Sequence, residues 1–140
     1  MKNVLDMFRL DGRVAFVTGG ARNLGRDMAT ALAQAGADVV VTSRHSEAAV
    51  ATAAQIASET GRQTLGLGLD VRQESEVIAA VDAALARFGR IDILVNNAGN
   101  VVSTPENKPL EVRPTQEWDE TISVNLRGAF LCSKRAASSL

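Results

Sequence analysis

The chain has 140 residues, 46% of them hydrophobic and 22% charged, which suits one domain able to bury well over half of its unfolded surface and leaves no room for a second. The net charge of -1 comes from signs mixed along the sequence, so no basic face marks a nucleic acid or an anionic membrane as partner. Cys132 is the only cysteine, which excludes an internal disulfide and a cysteine-based metal cluster; together with the lack of an apolar leader or a run of membrane-spanning length, it predicts a soluble cytoplasmic protein with no metal site.

Val14-Ala15-Phe16-Val17-Thr18 is a short, β-branched apolar run that ends at Gly19 and Gly20, and it predicts a buried strand running into a turn. Leu24, Met28, Ala31, Leu32 and Ala35 recur at helical spacing, which predicts a first helix stopped by Gly36. The alternation continues with a strand over 38–42, an alanine-rich helix over 46–60 before Gly61, and a strand over 64–69. A third helix over 73–88 carries the stripe Val77, Ile78, Val81, Ala84, Leu85 and Phe88 and stops at Gly89. The run Ile91 to Val95 is the most continuously apolar in the chain, the pattern of a strand covered on both faces.

From Asn97 to Pro114 the periodicity lapses among polar residues and three prolines, predicting an exposed loop of a length that signals function. Thr115 with Trp118 and Asp119 predicts a capped helix start, and Ile122, Leu126, Ala129, Phe130 and Ala137 carry this fourth helix to the end. Trp118 reads as packing, Cys132 as a small core residue, and the single histidine, His45, as a solvated loop side chain. Strand and helix repeated four times predict an α/β fold, a doubly wound open sheet of parallel strands with right-handed crossovers.

Such sheets bind ligands at the carboxyl ends of their strands. The first of these junctions reads Thr18-Gly19-Gly20-Ala21-Arg22-Asn23-Leu24-Gly25, where glycines permit close backbone approach and the helix that follows offers unpaired N–H groups to a pyrophosphate. A tight, closely packed turn with no ligand is the other reading. After the last strand, Asn96-Asn97-Ala98-Gly99 leaves room for a flat ring across the strand tips, or forms a plain Asn-rich turn. Asp70, followed by Val71, places a carboxylate either at an adenine edge or at a helix N-cap.

Together, Thr18 to Gly25, Asp70 and Asn96 to Gly99 resemble the ordered signature of the short-chain dehydrogenase/reductase family, and the similarity runs from about Leu10 to the C-terminus. The resemblance implies a Rossmann-like sheet, truncated after the fourth helix, with residues 1–140 as one partial dinucleotide-binding domain. It implies cofactor contacts from Thr18, Gly19, Gly20, Arg22, Asn23, Leu24, Gly25, Ser43, Arg44, Asp70, Val71, Asn97, Ala98 and Gly99. Asn23 stands where the family pattern has its second glycine, and asparagine tolerates the left-handed backbone that position needs.

The strand-two end, Thr42-Ser43-Arg44, lacks the acidic residue that would bond a ribose 2′-hydroxyl; Arg44 and Arg22 instead offer donors to a 2′-phosphate. NADP(H) is favoured and NAD(H) stays open, the alternative being two solvated arginines. Asn125 matches the helix-four asparagine that in the family helps to hold a water in the proton relay; the alternative is an interior amide bonded to backbone.

The same resemblance implies hydride transfer between the cofactor and a small carbonyl compound or secondary alcohol, with a serine and a Tyr-x-x-x-Lys as the acting residues. The chain has no tyrosine, so Lys134 cannot serve in that pair, and a chain without the phenol is expected to be inactive alone. A bare apolar strand at 91–95 is expected to need cover, which points to part of a longer protein and to a homo-oligomer formed through helix four. The other reading is a non-catalytic dinucleotide-binding or oligomerisation module. Sugar-derived keto acids and acyl thioesters both remain open as substrates.

Overall fold

The computed structural model describes residues 3–100 and 108–140. Its centre is β1 (Val14–Val17), four apolar residues that are all buried. The chain then forms α1 (Asn23–Gln34), β2 (Asp38–Ser43), α2 (Ser46–Thr60), β3 (Thr64–Gly68), α3 (Glu74–Phe88) and β4 (Ile93–Val95). Among the described residues these strands make one sheet in the order β3-β2-β1-β4, every pair parallel. Phe16 lies opposite Val40 on one side and Leu94 on the other, so β1 is the strand from which the winding reverses.

Alternation along β1 and β2 feeds two cores, as a doubly wound sheet requires. Ala15, Val17, Val39 and Val41 face Ala29 and Ala33 of α1 and Ala49, Ala53 and Ile56 of α2. Val14, Phe16 and Val40 face Val77, Ala80, Val81 and Ala84 of α3 and, from the last helix, Leu131 and Cys132. Cys132 is a core residue as its sequence context predicts, and burial pushes its thiol up to about 11.

The buried stripe of α1 is not the predicted one. Gly25, Ala29 and Ala33 face the sheet, one position after Leu24, Met28 and Leu32, and Leu24 is 66% exposed. The spacing is the same, but the helix lies so close to the sheet that its smallest residues must turn inward. Gly25 shows why: a Cβ there would sit 2.2 Å from the Gly19 carbonyl oxygen. On α3, Val77, Val81 and Ala84 are buried as predicted, whereas Ile78 points outward, one residue off the centre of the stripe.

The fourth predicted helix has three parts: α4 (Thr115–Ile122), a π-helical segment (Ser123–Gly128) and α5 (Ala129–Ala136). A π turn inserts a residue and rotates everything beyond it. The stripe read at uniform α spacing therefore fails here: Leu126 and Phe130 are exposed, while Gly128, Leu131, Cys132 and Ala136 face inward. Trp118 is 67% exposed rather than packed, because α4 buries none of its residues. Thr115 is not a cap either, since the N-cap is Pro114 and makes no side-chain bond. Of the predicted 97–114 loop, a short 3-10 turn forms at Leu110–Val112, and residues 101–107, including Pro105, lie outside the described residues.

β4 is shorter than the predicted 91–95 because Asp92 fastens its entry. The Asp92 carboxylate accepts from the Val14 N–H at 2.9 Å, from Arg13 at 3.1 Å and from Arg90 Nε at 2.8 Å, and the Asp92 N–H donates to the Val14 carbonyl. The Arg90 guanidinium, helped by the Val14 N–H and Arg13, holds this carboxyl down to about 2. A depressed carboxyl stabilises the fold above its ordinary range and loses that contribution as pH falls through the depressed value. Asp92→Asn is therefore expected to cost about 1–2 kcal/mol near neutrality, after allowance for the exposed arginine partners. Urea midpoints of the two proteins should converge as pH falls from about 4 to about 2.

Candidate functional site

At the carboxyl ends of β1 and β4 one hydroxyl ties two junctions together. Thr18, 1% exposed, donates its hydroxyl to the Val95 carbonyl and accepts from the N–H groups of Asn97 at 3.1 Å and Ala98 at 3.0 Å. In return the Asn97 side-chain amide donates to the carbonyls of Thr18 at 3.0 Å and Gly19 at 3.1 Å. Gly19 takes φ +63°, and a Cβ on it would lie 3.0 Å from Ala98 Cα. Asn23 takes φ +48°, the left-handed backbone that its place in the turn predicts.

These junctions open onto a cleft of about 310 Å³, within the range of cofactor sites. One wall is the turn into α1, with Gly19, Arg22, Asn23, Leu24 and Gly25. A second is Ser43 and Arg44 at the end of β2, a third Asp70 and Val71 beyond β3, and a fourth Asn97, Ala98 and Gly99 beyond β4. Two of the candidate residues stand behind the surface: Thr18 is the internal tie just described, and Gly20 is buried with its N–H on the Thr42 carbonyl.

The cleft also takes residues that the sequence reading did not select. His45 lines it, exposed, with its N–H on the Ser43 hydroxyl at 3.2 Å. Its position directly after Ser43-Arg44 at a strand end was the available signal. Ala48, one turn into α2, and Val124, from the π segment, carry no local signal, since only packing brings them to the rim.

Arg22 and Arg44 are exposed, line the cleft and have no hydrogen-bond or ion-pair partner among the described residues. Asp70 is engaged: Arg72 Nη2 lies 2.6 Å from one carboxylate oxygen and Arg72 Nε 2.9 Å from the other. The hydrogen bond from Arg72 is the main reason the Asp70 carboxyl lies below its ordinary range. Asp70 is not the helix cap, because α3 is capped at Gln73, whose N–H reaches the Asp70 main-chain carbonyl.

Asn125 sits in the π segment beside Asn100, which lines the cleft. Its amide oxygen accepts from the Asn100 N–H at 2.8 Å, and its amide nitrogen donates to the Asn100 carbonyl at 2.8 Å. This is an amide bonded to backbone, although at an exposed position rather than an interior one. No helix among the described residues is long and apolar enough to cross a membrane. None of their His, Cys, Asp and Glu side chains form a group of three or more placed to hold a metal ion.

Comparison with known proteins agrees with this geometry. The family model described as short chain dehydrogenase matches residues 13–140. The D-threitol dehydrogenase of Mycolicibacterium smegmatis is 44% identical over 124 residues, covering 89% of this chain and 46% of that protein. The 2-dehydro-3-deoxy-D-gluconate 5-dehydrogenase of Escherichia coli is 39% identical, covering 96% and 50%. A crystal structure of a short-chain type dehydrogenase/reductase from Mycobacterium marinum superposes with a TM-score of 0.90 at 36% identity, over 98% of this chain and 52% of that one. The chain thus spans about half the length of the curated relatives it matches.

The Thr18 tie is open to a direct test. Thr18→Val keeps the volume but strands the Ala98 N–H and leaves the Asn97 N–H only its bond to the Val95 carbonyl, so a stability loss of about 1–3 kcal/mol is expected in urea unfolding, with Thr18→Ser much closer to the parent. Equal losses in the two variants would show that shape, not the hydroxyl, holds the strand tips.

Proposed function

We propose, from the premise that this chain belongs to the short-chain dehydrogenase family, that its cleft binds NADP(H) and forms the cofactor half of an enzyme transferring hydride between that cofactor and a carbonyl compound or secondary alcohol. The observation that carries the cofactor preference is the pair of unpartnered arginines, Arg22 and Arg44, on adjacent walls of one cleft with no carboxylate at the end of β2. The turn into α1 is packed so closely that a Cβ on Gly25 would collide with Gly19 and Asn97, which keeps the start of the helix beside the cleft.

In this reading the N–H groups of the turn into α1 receive the pyrophosphate, where the helix end favours negative charge. Arg22 and Arg44 clasp the 2′-phosphate, Asp70 and Val71 edge the adenine, and Asn97 to Gly99 border the nicotinamide ribose. NAD(H), whose 2′-hydroxyl gives the arginines no anion, binds more weakly. A bound nicotinamide supplies or accepts the hydride. Asn125 acts as a positioning residue, holding the Asn100 backbone at the rim. The relatives named above act on a sugar alcohol and a keto sugar acid by their names, which supports a polyol or sugar-derived substrate for the whole enzyme beside the acyl thioester that other relatives' names carry. A reducing cytoplasmic setting suits the buried thiol of Cys132.

These 140 residues contain no tyrosine, hence no phenol to exchange a proton with a carbonyl oxygen, and turnover by this chain alone is not expected. Calorimetry on the purified chain should show NADPH bound more tightly than NADH. The double variant Arg22→Ala/Arg44→Ala should weaken NADPH by about ten- to hundredfold while NADH changes little. Equal losses for both cofactors would overturn the 2′-phosphate assignment, and sustained turnover of NADPH with a panel of ketones would overturn the inactivity.

A second reading, a module that pairs copies of the chain through its last helix, is favoured by one observation: Trp118, Leu126 and Phe130 are 67%, 63% and 59% exposed. Light scattering should then give a dimer for the parent chain and a monomer for Leu126→Glu/Phe130→Glu. A monomeric parent would remove this reading.

A further inference from the structure

We infer that Arg72, which does not line the cleft, is a specificity-determining residue: by masking the Asp70 carboxylate it leaves Arg44 free for a 2′-phosphate. The inference rests on the NADP(H) reading and deepens it. Its geometry is that of a fixed clamp. Arg72 Nε lies 2.9 and 3.1 Å from the two carboxylate oxygens, Nη2 lies 2.6 Å from one of them, and the Arg72 N–H adds a bond at 3.0 Å. The Asp70 side chain is four-fifths buried, at 19% exposure.

Arg72 is itself held from behind. Its main-chain carbonyl accepts from Arg127 Nη1 at 2.7 Å, and Arg127 belongs to the π segment. A surface arginine on a free stem gains little from an ion pair, but one whose backbone is bonded on both sides gives up less freedom in forming it. The carboxylate accepts from three donors of Arg72, which leaves about one acceptor position for an adenine amino group.

The consequence concerns Arg44. Asp70 and Arg44 line the same cleft, and Arg44 is among the charges that act on the Asp70 carboxylate. An unmasked Asp70 would draw the Arg44 guanidinium toward itself and would also repel a phosphate dianion entering beside it. Both effects penalise a 2′-phosphate, and neither bears on a 2′-hydroxyl. The adenine contact, by contrast, is common to the two cofactors.

The ratio of NADPH to NADH affinity therefore separates a charge effect from a merely structural one. Each cofactor is titrated into the purified 140-residue chain by calorimetry, for the parent, Arg72→Gln, Arg72→Lys and Arg72→Gln/Asp70→Asn. The preference for NADPH is expected to narrow by about three- to tenfold in Arg72→Gln, the range of a partly buried charge pair. Arg72→Lys should keep most of the preference, and Arg72→Gln/Asp70→Asn should restore it, because the carboxylate charge is then gone. Equal weakening of NADPH and NADH in Arg72→Gln, or no recovery in the double variant, would overturn the inference while leaving the cofactor assignment intact. A parent chain with no preference for NADPH would overturn the cofactor assignment and this inference with it.

Discussion

The cleft exists because the buried hydroxyl of Thr18 holds the tip of β1 against the tip of β4. At this tip the main-chain ladder ends with the Thr18 N–H on the Val95 carbonyl at 3.0 Å, and the chain beyond Val95 needs a further fixture. Thr18 supplies that fixture with one donated and two accepted bonds, and Asn97 returns two more. The glycine requirements follow from it. Once Asn97 is drawn in, Gly25 has no space for a side chain and Gly19 has almost none.

Close approach recurs where helices press on the far walls. A Cβ on Gly66 would lie 2.5 Å from the Ala49 carbonyl oxygen, so α2 can rest directly on β3. A Cβ on Gly128 would lie 2.6 Å from the Val71 side chain, so the π segment reaches the wall that carries Asp70. That one segment braces two sides of the cleft, through Arg127 to the backbone of Arg72 and through Asn125 to the backbone of Asn100. π turns are frequent at functional sites, and here the local rotation is what aims both side chains at once.

The charges divide in a way that suits ligand capture. Asp70, the acidic residue that lines the cleft, is paired with Arg72, while Arg22 and Arg44 stay unpaired among the described residues. A nearly neutral chain can thus present a locally positive mouth to an anionic ligand. Away from the mouth, Asp92 is matched by Arg13 and Arg90 at the opposite end of β1, where the same pairing fastens strands instead of receiving a ligand.

The element order, the parallel sheet and most of the cleft-lining residues were legible in the sequence, because strand runs, helical spacing and stop glycines such as Gly61 and Gly89 act over a few neighbours. The left-handed Asn23 was legible only through the resemblance, as a residue able to take that backbone at the family's second glycine position. Orientation was not. Whether α1 turns Leu24 or Gly25 inward depends on how near the sheet lies, and whether Leu126 and Phe130 are covered depends on a π turn that spacing does not announce. The masking of Asp70, the tie at Thr18 and the presence of Val124 at the rim were decided only by the tertiary structure, because each joins groups whose positions are set by different crossovers, and no local pattern records a distance between them.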